Sequence, residues 1–134
     1  MKTSPKMQRI ITQCANKHGV DLARLVAHLH LELSCYEPLV IERIGQYQIS
    51  VAHYFEQNGD LVSDPDVVFF TGYGAWVPIE ITYNFGRTFR YAMLNADDTQ
   101  IYKINVAQQA SLAAFTEQWA QNLRDQGWLE HGHR

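Results

Sequence analysis

The side chains best suited to chemistry gather in one short stretch: His53, Glu56, Asn58, Asp60, Asp64 and Asp66. An imidazole and several carboxylates converging at a strand end would bind a divalent cation or supply general acid and base groups. Asp60, Asp64, Asp66 and His53 are therefore the metal candidates of the chain. They define a catalytic alternative, a small metal-dependent hydrolase or nuclease using the acidic loop 56–66. The spacing does not favour it. Asn58 and Asp60 would open a calcium loop, but Val62 fills the third ligand place and no glycine or distal glutamate follows in register. The same residues read as turn chemistry, since Asn58-Gly59-Asp60 reverses a chain and Asp64 before Pro65 opens a turn. No metal and no cofactor is expected on this reading. His53 is in phase with Ile49, Val51 and Phe55 and is expected to face the core.

The remaining reactive groups add little. His28 and His30 lie in a stretch with helical spacing, which would turn them to different sides. His131 and His133 sit near the end of the chain, where mobility is expected. Ser34 and Ser50 lack a Gly-x-Ser-x-Gly setting, and neither Cys14 nor Cys35 has an evident histidine partner. Gly72-Tyr73-Gly74-Ala75 is too short for a phosphate loop and precedes a strand rather than a helix. With no catalytic residue to name, a binding surface is the leading reading. Trp76 is out of phase with Val77, Ile79 and Ile81, which are expected to alternate inward, so it would stand on the other face. Together with Tyr73 and Arg90 it would form the kind of aromatic and arginine patch that anchors protein interfaces, unless the N-terminal helices cover it.

The elements that must position these residues are punctuated clearly. Ser4 suits an N-cap, Pro5 the first helical position and His18-Gly19 a stop, while Met7, Ile10, Ile11 and Cys14 mark one buried face. A second helix is expected after Asp21, with Leu22, Leu25, Val26, Leu29 and Leu33 as its stripe. From Cys35 the period changes to two. Strands are expected over 39–44, 47–55, 67–70, 76–83, 88–94 and 100–106, the third apolar on both faces. A helix from about Ser111 to Asp125 closes the chain, burying Leu112, Phe115, Trp119 and Leu123. Short turns between strands require antiparallel pairing. The expectation is one α+β domain over 1–134: a helical pair at 4–33, an antiparallel meander of five to six strands within 36–106, and an amphipathic helix at 108–126 packed on the sheet.

Composition narrows the class of function. A chain of 134 residues, 46% hydrophobic and 19% charged, is long enough for one proper core and too apolar for intrinsic disorder. The net charge of −3 and the scattered lysines and arginines argue against nucleic acid as a partner, while the acidic excess is too small for a nucleic-acid mimic. No apolar run reaches the about 18 residues of a membrane span. Met1 to Gln8 lead straight into an amphipathic pattern, and Cys14 and Cys35 are expected to be reduced core residues, so a cytoplasmic location follows.

Three separated motifs carry a resemblance: Tyr36 through Gly45, Ile49 through Asp60 with Asp64-Pro65-Asp66, and the closing run from Phe115 through Trp119 to Trp128. Over about residues 34–130 the chain resembles a family of uncharacterised bacterial domains met in plasmid, phage and conjugative-element proteins. The resemblance transfers no activity and no catalytic residue. It implies a bacterial accessory protein from a mobile element and does not extend to residues 4–33. Compactness and the lack of catalytic motifs, with that setting, lead to the expectation of a protein partner, while the N-terminal helical pair offers a surface for a homodimer.

Overall fold

The computed structural model describes residues 1–134. Helix α1, Pro5–Lys17, follows the expected punctuation and buries Met7, Ile10, Ile11, Cys14 and Ala15. Ser4 does not cap it with its side chain. Its hydroxyl is spent on the Thr116 hydroxyl, 2.7 Å away in the closing helix.

The expected second helix does not form. Residues 22–26 make turns, with the Asp21 carboxylate accepting from the Ala23 N–H, and the chain then enters strand β1, His28–Leu31. Helical and strand periods coincide on Leu29, which either would bury. They diverge at Leu25 and Val26, which are 67% and 86% exposed, and at Leu31, which is fully buried. A strand won because His28-Leu29-His30-Leu31 alternates strictly and finds a partner in β2, Leu39–Gly45.

Strands β3 (Gln48–Gln57), β4 (Asp60–Phe70), β5 (Val77–Tyr83) and β6 (Arg87–Arg90) continue an antiparallel meander, giving a six-stranded sheet in the order β1-β2-β3-β4-β5-β6. The acidic stretch that resembled a loop is mostly strand. Only Asn58 and Gly59, both at positive φ, turn the chain, and pairing resumes at Gln57 opposite Asp60. The expected strand 88–94 breaks at Tyr91. Its second half, β7 (Ala92–Leu94), leaves the sheet to pair with β8 (Ile101–Ile104) in a separate hairpin.

Two register shifts decide which side chains share a face. Between β3 and β4, Ala52 faces Asp66 and Tyr54 faces Ser63, so Asp64 and Pro65 together oppose His53. Between β4 and β5, Val68 faces Glu80 and Phe69 faces Pro78, leaving Ile79 as the extra residue. Val77 and Ile79 therefore join one apolar cluster with Val68 and Phe70, under the β7–β8 hairpin, while Ile81 joins Val67 and Phe69 in the main core. The expected common inward set of Val77, Ile79 and Ile81 is split by that bulge.

Helix α2, Val106–Gln126, starts earlier than expected because the Asn105 side chain accepts from the Gln108 N–H. It buries Leu112, Ala113, Thr116, Trp119, Ala120 and Leu123, whereas Phe115 stays 42% exposed. Gly127 ends it in the left-handed region, and a short helix α3, Trp128–His131, follows. The end of the chain is tied down: Glu32 and His133 exchange backbone hydrogen bonds of 2.7 and 3.0 Å. Cys14 is buried, its thiol pushed up to about 11 by burial, but Cys35 lies exposed at a positive-φ turn instead of in the core. No helix is long and apolar enough to cross a membrane.

Candidate aromatic groove

Where α2 passes β5, it leaves the end of the sheet partly open, and a groove of about 490 Å³ lies between them. Ile81 and Leu112 are buried in it, Tyr83 and Tyr91 come from the sheet side, Phe115 from α2, and Pro65 and Asp64 from the bulge of β4. The sheet side is a stack of rings. Tyr83 and Phe89 lie 5.4 Å apart at 29°, and Phe89 and Tyr91 lie 6.5 Å apart at 25°. Arg87 rides on this stack, its guanidinium carbon 5.8 Å from the Phe89 ring centre.

Asp64 reaches the groove because the extra residue of the bulge changes the alternation of β4. Its Oδ2 accepts from the Asn84 N–H at 3.1 Å, which pins the β5–β6 turn. That turn, Asn84-Phe85-Gly86, holds three successive residues at positive φ, and Phe85 projects from it with 73% of its surface in water.

The other residues nominated by the sequence are scattered. Asp60 is exposed at the β3–β4 turn. Asp66 points to the opposite face of the sheet, where its carboxylate accepts from the Ser50 hydroxyl at 2.6 Å. Burial raises the Asp66 pKa above its ordinary value; the Ser50 bond opposes this and the charges of Glu80 and Glu42 add to it. His53 faces the helices as expected, its ring 5.6 Å from Trp119 and 5.7 Å from Trp128. Its Nδ1 lies 3.1 and 3.3 Å from the carbonyls of Glu37 and Pro38, so Nδ1 carries the proton and donates. Burial lowers the His53 pKa, against those hydrogen bonds. Nowhere do three His, Cys, Asp or Glu side chains converge in a metal-holding arrangement.

Trp76, Tyr73 and Arg90 do not form one patch. Trp76 is only 5% exposed and lies beneath α1, packed 5.2 Å from Phe69. Its N–H donates to Gln8 and its carbonyl accepts from the Ser4 N–H, so the N-terminal segment is its cover. Tyr73 stands edge-on to Phe70 and accepts from the Ile101 N–H, while Arg90 pairs with Glu80 across β5 and β6. His28 and His30, expected on different sides of a helix, share one face of β1. The sequence analysis singled out Tyr73, Trp76 and Arg90 from this region and missed the groove. Its signal was Tyr83, Phe89 and Tyr91 recurring in one hairpin with Phe85 at the turn.

A family described as a domain of unknown function, DUF6908, matches residues 6–129. The match reaches back over α1 and β1, so these belong with the rest of the domain and not to a separate addition. Neither a curated protein nor a solved structure matches the chain.

Proposed function

We propose that this chain, which belongs to the DUF6908 family of unknown function, is a non-enzymatic protein-binding domain that engages its partner through the aromatic end of the sheet. The observation that carries this reading is Phe85. A bulky side chain in the left-handed region is strained, and phenylalanine lacks the local hydrogen bonds with which asparagine offsets that cost. Glycine would make the same turn without strain. Here the ring is instead held in water, at the turn that Asp64 of the groove pins through Asn84, and the groove residues Tyr83 and Phe115 are exposed as well. Large aromatic rings grouped at a rim are what protein interfaces use as anchors. The metal-dependent alternative finds no support, because the acidic side chains of residues 56–66 are carried to different places. The setting in a bacterial mobile element rests on the resemblance over residues 34–130 alone.

Phe85→Gly separates the two roles of this residue. Removing a side chain from positive φ is expected to leave the melting temperature unchanged or raise it by the equivalent of about 0.5–1 kcal/mol. Affinity capture should yield a protein with the wild type that is lost with Phe85→Gly, and calorimetry on the purified pair should show at least about a tenfold weakening, typical of an anchor residue. Equal capture and equal affinity for both proteins would sink the reading.

A further inference from the structure

Resting on that reading, the chemistry of the groove also says what part of a partner it receives. The groove contains a single charged side chain, Asp64, set against aromatic and aliphatic walls. The ion pairs of the structure are His30–Glu32 and Arg90–Glu80, so the half-buried Asp64 carboxylate has no cationic partner. Its known duty, accepting from the Asn84 N–H, occupies Oδ2. A neutral asparagine oxygen would do the same work, so the turn does not explain the charge.

The walls point the same way. Aromatic rings present an electron-rich face that attracts cations, and the ring stack of this sheet already holds one, the Arg87 guanidinium over Phe89. Long basic side chains combine an apolar stem with a charged head, matching a groove whose walls are mainly rings and aliphatic side chains, with neutral Gln108 and Ser111 from α2 and the one anionic group, Asp64. We propose that the groove between α2 and the β4–β5 pair receives an arginine or lysine side chain of the protein partner. The stem lies against Tyr83, Tyr91 and Phe115, and the head sits at Asp64. Phe85 at the neighbouring turn then anchors the apolar part of the same contact.

The test uses the full chain and two small probes, N-acetyl-Leu-Arg-Leu-amide and its citrulline counterpart, which has the same shape without the charge. Backbone amide shifts of the labelled protein report where each probe binds and how tightly. The arginine probe is expected to shift residues of the groove and to bind about fivefold more tightly than the citrulline probe, the size of a partly exposed ion pair. Asp64→Asn keeps an acceptor for the Asn84 N–H and should reduce that ratio to about one. Tyr91→Ala should weaken both probes alike. Equal binding of the two probes to the wild type would overturn the cation inference while leaving an apolar docking groove. Shifts that avoid the groove for both probes would overturn it as well. Neither result bears on the Phe85→Gly capture experiment, which decides the protein-binding reading separately.

Discussion

His53 and Asp66 show two buried ionisable groups with opposite consequences for stability. The His53 ring is enclosed by Trp119 and Trp128, and burial favours its neutral form. The unfolded chain therefore takes up this proton first as pH falls below the ordinary histidine value of about 6.5, and stability is lost in that window. The drop in melting temperature between pH 7 and pH 5 should be smaller in His53→Gln than in the wild type, whatever the offset from lost packing. Parallel curves would contradict this. For Asp66 the sign reverses. Burial favours the protonated carboxyl, so the contribution is present at low pH and is lost as pH rises above the ordinary carboxylate range near about 4. Asp66→Asn keeps an acceptor for Ser50 and should be the more stable protein at pH 7, the advantage closing toward pH 4. The core-facing orientation of His53 was legible from its phase with Ile49 and Val51. Its two tryptophan neighbours were not, since they come from α2 and α3, far along the chain.

At the scale of the element, β1 is where local pattern misled. Leu22, Leu25, Val26, Leu29 and Leu33 fit a helical stripe, yet only Leu22 and Leu29 of these are buried, and Leu31 replaces the rest. Nucleating a helix is costly for a short segment, and this one gains six-stranded sheet pairing and two core leucines by extending instead. Leu31→Ala should therefore destabilise the protein by about 2–5 kcal/mol, as for a fully buried leucine, while Val26→Ala should stay within about 0.5 kcal/mol. Denaturant melts that ranked these substitutions the other way would restore the helix. The acidic loop failed for a related reason. Proline and aspartate at 64–66 signal a turn in isolation, but a bulge admits both residues to a strand and sends Asp64 and Asp66 to opposite faces.

Across the whole molecule, the closure of the core depends on pieces distant in sequence. Trp128 is fully buried in α3, its ring tilted against those of His53 and Tyr36, with its Nε1–H donating to Gln126. The backbone just beyond it pairs with Glu32 beside β1. Trp128→Ala removes the wedge that joins these parts and should cost about 3–5 kcal/mol. Because that wedge borders the first strand, hydrogen exchange should quicken in β1 as well as in α3. Protection unchanged in β1 would show that the two ends are not coupled.

Some of this protein was decided by the sequence alone. Alternation and short turns required an antiparallel sheet from residue 39 onward, helical periodicity with its stop signals required α1 and α2, and the doubly apolar Val67-Val68-Phe69-Phe70 required a central strand covered on both sides. These are local signals, set by backbone geometry and by which neighbours within a few residues share a face. Tertiary structure alone decided that residues 28–31 pair as a strand, that Trp76 lies beneath α1, and that Asp64 meets Tyr83, Tyr91 and Phe115 around one groove. A bulge shifts a strand by one residue, and a one-residue shift exchanges its faces. Which face each side chain takes therefore depends on the partner strand, and no window of the sequence contains both.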